Sequence, residues 1–273
     1  GLYVVLSVLL FDPKPTTSGD NARYLMLGKS LAEGKGYRDL YLPDAPVHTQ
    51  YPPGFPLILA AITLVSGGVN VLASKLFVVL TGIGAMFFIY RLGELIFRDK
   101  ASPVMVLFAS VPALVVNNHW ILSEVPFLLL LAATLYCLVL ADGRPRATAA
   151  RLQIGACGLA VAACLIRTAG VAVVLGMILL FLVRRQYRNL FILLLLLAVA
   201  AVPWQVHNAS AGHSQPYLEQ LLAKNPYDFD HGRAGIADWA LRVWQNLRVY
   251  VARVGPWMIF PVNAGSWFER ISG

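Results

Sequence analysis

Apolar runs near 70–97, 102–118, 121–141, 147–166, 168–185 and 189–206, divided by short polar connections, restrict this chain to few architectures. A helix crossing a bilayer needs ~20 apolar residues, and in lipid the backbone must satisfy its own hydrogen bonds, so runs of this length become spanning helices. Composition agrees: 58% of the 273 residues are hydrophobic and 13% charged, with a mean hydropathy of +0.65. In a water-soluble domain about a quarter of residues are charged. The expected fold class is therefore all-α, a polytopic integral membrane protein. A net charge of +8 would also suit a nucleic-acid binder. Here, however, the Lys and Arg residues gather between apolar runs, where a basic excess marks cytoplasmic loops, and nucleic acid is set aside as a partner. Cys137, Cys157 and Cys164 lie inside apolar runs and read as small buried hydrophobes rather than disulfide or metal ligands.

The basic excess falls in alternate connections: Arg98-Asp99-Lys100, Arg144-Pro145-Arg146 with Arg151, and Arg184-Arg185 with Arg188. The positive-inside rule makes these cytoplasmic. The loop from 12 to 69, the Asn117–Glu124 turn, the Arg167 turn and the chain after Pro203 then share the external face. Residues 1–206 form the expected transmembrane core, and 207–273 an external helical segment. The run from Leu2 to Phe11 is too short to span and opens without methionine, so the reading expects a truncated first helix and a continuation past residue 273.

Within the 12–69 loop two amphipathic surface helices are expected. Ser18 or Gly19 can begin the first, with Tyr24, Leu27, Leu31 and Ala32 at helical spacing and Gly34 and Gly36 as the stop. Pro52-Pro53 opens the second, and the run Phe55–Val65, too short to cross, ends at Ser66-Gly67-Gly68. In the tail, Asn225-Pro226-Tyr227 and His231-Gly232-Arg233 read as turns. Ile236–Val254 reads as a helix whose Trp239, Val243, Leu247 and Val251 side packs against the protein.

Asp20 and Arg23, three residues apart, share one helix face, with Tyr24 one step further round. A helix N-terminus favours an ionised carboxylate and can also meet a phosphate; the plainer alternative is a helix cap at Asp20 and a headgroup anchor at Arg23. His48, Gln50 and Tyr51 precede the double proline and are expected to face the same cavity. Glu124 begins an apolar run, where an unpaired carboxylate is costly: it is a site residue or an interfacial cap. Arg167 either snorkels to lipid phosphate or pairs with a carboxylate. His48, His207, His213 and His231 could meet Asp20 at a metal only by folding together, and they show no zinc-type spacing.

The order of these segments carries a resemblance. An external Asp-x-x-Arg-Tyr helix, the segment Tyr51-Pro52-Pro53-Gly54-Phe55-Pro56-Leu57, the turn Leu122-Ser123-Glu124-Val125-Pro126-Phe127, and Pro203-Trp204 at the outer end of a span are together similar to the GT-C glycosyltransferases. The similarity runs over most of residues 10–260. Within that superfamily the chain resembles the branch holding aminoarabinose transferase and the protein O-mannosyltransferases. The resemblance implies transfer of a sugar from a polyprenyl-phosphate donor to a lipid, glycan or protein acceptor. It implies a catalytic acid at Asp20, a phosphate-binding position at Arg23, and substrate-binding roles for Tyr24, His48, Gln50, Tyr51, Glu124 and Arg167. Asn21 stands where relatives often have a second acid, which argues against a two-acid or metal-bridged site; no cofactor is certain, and a divalent metal stays open. The expected location is the bacterial inner (plasma) membrane, in contact with its lipids, with the site on the external, periplasmic face. The alternative from another class is a polytopic transporter or lipid translocase, which would need polar residues near midplane, whereas this sequence places them at the outer edge.

Overall fold

The computed structural model describes residues 2–15, 19–97, 111–211, 222–225 and 228–255. Ser18, the Arg98-Asp99-Lys100 connection, most of the 102–118 run, His213, the Pro226-Tyr227 pair and the side chains of His231 and Arg253 lie outside the described residues. The helices are α1 (Leu2–Leu9), α2 (Asp20–Ala32), α3 (Gly54–Val65), α4 (Val71–Phe97), α5 (Pro112–Asn117), α6 (Glu124–Ala141), α7 (Arg146–Ile166), α8 (Gly170–Val183) and α9 (Tyr187–Ser210). A short hairpin, β1 (Ala223–Asn225) and β2 (Asp228–Arg233), precedes α10 (Ile236–Val249), which runs on into a π-turn at Tyr250–Val254. Of these, α4, α6, α7 and α9 are long and apolar enough to cross a membrane.

The bundle is ordered by its smallest side chains. On α7, Ala156, Ala160 and Ala163 are fully buried and recur on one face, so neighbouring helices approach closely without polar glue. Val174, Met177 and Phe181 of α8 and Leu193 of α9 pack against that face. At the other end of α7, the surface helices meet each other and the bundle through two glycines. A Cβ on Gly28 of α2 would stand 2.8 Å from that of Leu59 in α3, and one on Gly54 would stand 2.6 Å from the Leu165 carbonyl oxygen. The start of α3 is thus pressed onto the end of α7. Around this junction Tyr24, Leu27, Tyr37, Tyr51, Phe55 and Ile121 join one buried cluster.

Several expectations need correction. The 168–185 run forms only the fourteen residues of α8, about 21 Å of helix, yet it still carries the chain from the end of α7 to the start of α9. The last span runs a few residues past the expected 206, to Ser210, with Pro203 inside it; a proline removes one ladder bond, which membrane helices tolerate. His231-Gly232-Arg233, expected as a turn, lies in β2, where Arg233 pairs with Ala223. The packed side expected for the tail helix is absent among the described residues. No residue of α10 is buried, and Val243 and Leu247 are exposed, because its described long-range tie is to the hairpin, where Arg242 donates to the Ala223 carbonyl.

Candidate active site

Asp20 is the first residue of α2, but it does not cap the helix. The N-cap is Gly19, in the left-handed region at φ 66, and no side-chain cap bond is made. The carboxylate instead points to the loop before α3, where its Oδ1 accepts the Tyr51 hydroxyl proton at 2.7 Å. One turn along α2, the Arg23 guanidinium donates to the same Tyr51 oxygen at 3.2 Å and to Gln50 Oε1 at 3.0 Å. It also lies over the rings of Tyr41 and Tyr51, at 5.5 and 5.6 Å. Arg23, Tyr51 and Asp20 therefore form a line of donors ending on the carboxylate, an arrangement in which each bond polarises the next. Burial, and then the hydrogen bond to Asp20, push the Tyr51 hydroxyl well above its ordinary value of 10.0, so it remains a donor.

Hydrogen bonds from the surrounding loop hold Tyr51 in place. Its N–H donates to His48 Nε2 at 2.8 Å, which makes that nitrogen an acceptor and puts the ring proton on Nδ1. Nδ1 in turn faces both oxygens of Asp39, at 3.0 and 2.9 Å. Tyr37 donates its hydroxyl to the Tyr51 carbonyl at 3.0 Å, and His207 Nε2 lies 3.0 Å from the His48 carbonyl oxygen. His48 is 2% exposed. Contrary to expectation it does not face the cavity, because both ring nitrogens are used inside the loop. Asp39 escaped the sequence reading; the available signal was an acid and a histidine on the two arms of one loop, bridged at Arg38 and Val47.

The far side of the cluster is built from α6 and the end of α7. The Tyr24 hydroxyl and Ser123 Oγ are 3.0 Å apart, Arg167 donates to the same Oγ at 3.1 Å, and Arg167 pairs with Glu124 at 2.7 Å. Of the two readings of Arg167, the structure adopts the carboxylate pair. Tyr24 is buried and edge-on to Phe55 at 5.0 Å, so it packs the site wall rather than facing the cavity. Asn21 is buried too, and its Oδ1 accepts the Ile121 N–H at 2.7 Å. An amide fills that place without burying a second charge, which would be expensive there.

Beside Gln50 a cavity of about 240 Å³ opens between the loop and α7, α8 and α9, lined by Pro53, Leu165, Thr168, Trp204 and Asn208 among others. Its floor is apolar, while Asn208 is buried with an Oδ1 that has no partner among the described residues. Trp204 stacks on His207 at 5.3 Å. Among the described residues no three His, Cys, Asp or Glu side chains come together as a metal site. Two further polar groups passed unnoticed in the sequence. Lys75, near the start of α4, is 1% exposed and donates to the carbonyls of Asp12 and Lys14 at 2.8 and 2.5 Å. His119 is buried, and burial together with nearby Lys75 lowers its pKa.

At one end of this helical membrane bundle, α2 and the loop before α3 gather an acid, an arginine and a tyrosine. Residues 50–207 match the model of the dolichyl-phosphate-mannose-protein mannosyltransferase family. That is more than half of the chain, which belongs to this family. The fold is similar to that of ArnT from Cupriavidus metallidurans, solved bound to undecaprenyl phosphate, at a TM-score of 0.60 and 17% identity over 75% of this chain and 39% of that one. The apo form of the same ArnT gives 0.59 and 17%, over 74% and 39%. This chain thus spans about two fifths of the length of those structures. No curated protein matches it significantly.

Proposed function

We propose that the chain carries the catalytic end of a membrane glycosyltransferase that moves a sugar from a polyprenyl-phosphate donor to an acceptor, with Asp20 as general base. The observation that carries this reading is the Asp20 carboxylate held by Tyr51 beside Arg23, on the rim of a bundle belonging to a mannosyltransferase family. In the reaction the acceptor O–H attacks C1 of the sugar. The bond from C1 to the phosphate oxygen breaks, polyprenyl phosphate leaves with the electron pair, and the acceptor proton passes to Asp20. Phosphate is a good leaving group, so the demands on the protein are a positioned base and fixed positive charge near the departing oxygen. Arg23 supplies that charge first. Arg167 is the second cation, its charge shared with Glu124. A single displacement inverts the configuration at C1. The transporter alternative would need polar groups continuing through the bundle, whereas the midsections of α7, α8 and α9 pack through Ala156, Ala160, Val174, Met177 and Leu193.

The test is sugar transfer by the purified full-length protein from a panel of polyprenyl-phosphate sugars. Transfer from at least one donor is expected, and Arg23→Lys should raise the donor KM about ten-fold, roughly the worth of a hydrogen bond to a charged group, with folding unchanged. No transfer from any donor would remove the activity, and unchanged donor kinetics in Arg23→Lys would reduce Arg23 to a headgroup anchor.

The same proposal places the site on the external face. The ends of α6 and α8 that meet through Asp142 and Arg184 lie at the other end of the bundle, with the basic connections. A cysteine at Asp44 should therefore react with an impermeant thiol reagent in sealed cells, and one at Gly143 should not. Labelling of Gly143 alone would invert the assignment.

A further inference from the structure

At the end of the bundle remote from Asp20, where the 21-residue, roughly 31 Å helix α7 begins, the starts of α7 and α9 and the α8–α9 connection line a second, open cavity. Its volume is about 770 Å³, and Arg146, Gln153, Arg185, Tyr187, Arg188 and Asn189 are in its wall, with no acidic side chain among the lining residues. The neighbouring carboxylate, Asp142, is already taken by Arg184 in a two-bond pair at 2.6 and 3.1 Å. Three guanidinium-bearing residues thus surround a space that holds no counter-charge of its own. The floor is polar and built: Gln153 and Asn189 are 8% and 7% exposed and joined by a 2.6 Å hydrogen bond. The N-terminal ends of α7 and α9 both open here, adding positive potential of their own.

What distinguishes this cavity from a general basic surface is its flank. From Tyr187 the outer side of α9 continues as Phe191, Leu195, Val199 and Val202, each more than half exposed, on a helix only 6% buried over its spanning length. An anion seated among the arginines would have an apolar path directly beside it. We infer that this cavity binds the phosphodiester headgroup of an anionic phospholipid whose acyl chains lie along α9. Charge complementarity selects the headgroup, since clustered arginines at a membrane edge attract anionic lipid. The apolar flank selects a lipid over a soluble phosphate. The site is separate from the transfer chemistry and does not depend on it.

The full-length protein in phosphatidylcholine vesicles, carrying spin-labelled phosphatidylglycerol as the probe, tests this. The wild type should hold a motionally restricted phosphatidylglycerol population that spin-labelled phosphatidylcholine does not show. Arg146→Gln and Arg188→Gln should each weaken it about five-fold, the factor that one basic residue contributes at an anionic surface. Arg151→Gln, on the same helix but outside the cavity, should leave it unchanged. Equal losses in all three variants would mean diffuse attraction to the basic face and would overturn the site, as would full retention in Arg146→Gln and Arg188→Gln. Displacement of the probe by inorganic phosphate would reassign the cavity to a soluble anion and likewise overturn the lipid proposal.

Discussion

Full-length protein carrying Asp20→Asn is expected to accumulate and fold as the wild type does, yet to turn over its donor about 10²–10⁴ times more slowly, the usual contribution of a general base. Asparagine matches aspartate in size and can still accept the Tyr51 proton through its amide oxygen, so the 2.7 Å bond survives. What it cannot do is take a proton from the acceptor. Capping gives no competing account of a loss, because Gly19 and not Asp20 occupies the N-cap. Sugar transfer at matched expression is the measurement. Near-normal turnover would remove Asp20 from the mechanism and leave its carboxylate a loop anchor.

The second large effect is expected at Tyr51→Phe. The ring stays, so its contacts with Tyr24 at 4.8 Å and His48 at 5.1 Å persist and melting behaviour should change little. The hydroxyl is lost, and with it the only described bridge between Arg23 and Asp20. A hydrogen bond to an ionised group is worth about 1.5–3 kcal/mol, so turnover should fall about ten- to hundred-fold. Combined with Asp20→Asn the loss should be much less than the product of the two, since the Tyr51 hydroxyl acts through the carboxylate that Asp20→Asn removes. The pH dependence has a definite sign. Because burial and the Asp20 carboxylate raise the Tyr51 pKa above its ordinary 10.0, the bridging proton is present throughout neutral and mildly alkaline pH. It is lost only as pH rises through that raised value, so wild-type activity should show no alkaline limb from Tyr51 below about pH 10. Full activity in Tyr51→Phe would make Tyr51 a packing residue alone.

The Asp39–His48 pair bears on how such effects are read. A substitution at His48 would release the Tyr51 N–H and so disturb Asp20 without any contact with substrate. Its phenotype alone would imitate that of a substrate-binding histidine, which is the role its place beside Gln50 and Tyr51 suggests in the sequence. Burial at 2% separates the two.

Hydropathy and helical spacing are sums over neighbours in the chain, and for that reason the spans α4, α6, α7 and α9, the two helices of the 12–69 loop and the Asp20–Arg23 face were legible without coordinates. The start of α2 at Asp20 and of α3 at Gly54 follow from the same local signals of glycine, proline and periodicity. The choice of polar partners was decided elsewhere. Tyr51 reaches Asp20 across 31 positions, Arg167 reaches Ser123 across 44, and Tyr24 meets the same Ser123 across 99. Each of these pairings depends on which groups close packing at Gly28 and Gly54 brings together, and on the cost of leaving a buried polar atom unpaired. The sequence by itself determined that an acid and an arginine would stand together at a membrane edge. Only the tertiary structure decided that a tyrosine joins them, that His48 turns inward to hold it and that Arg167 belongs to Glu124, because those choices are made by desolvation and distance in three dimensions.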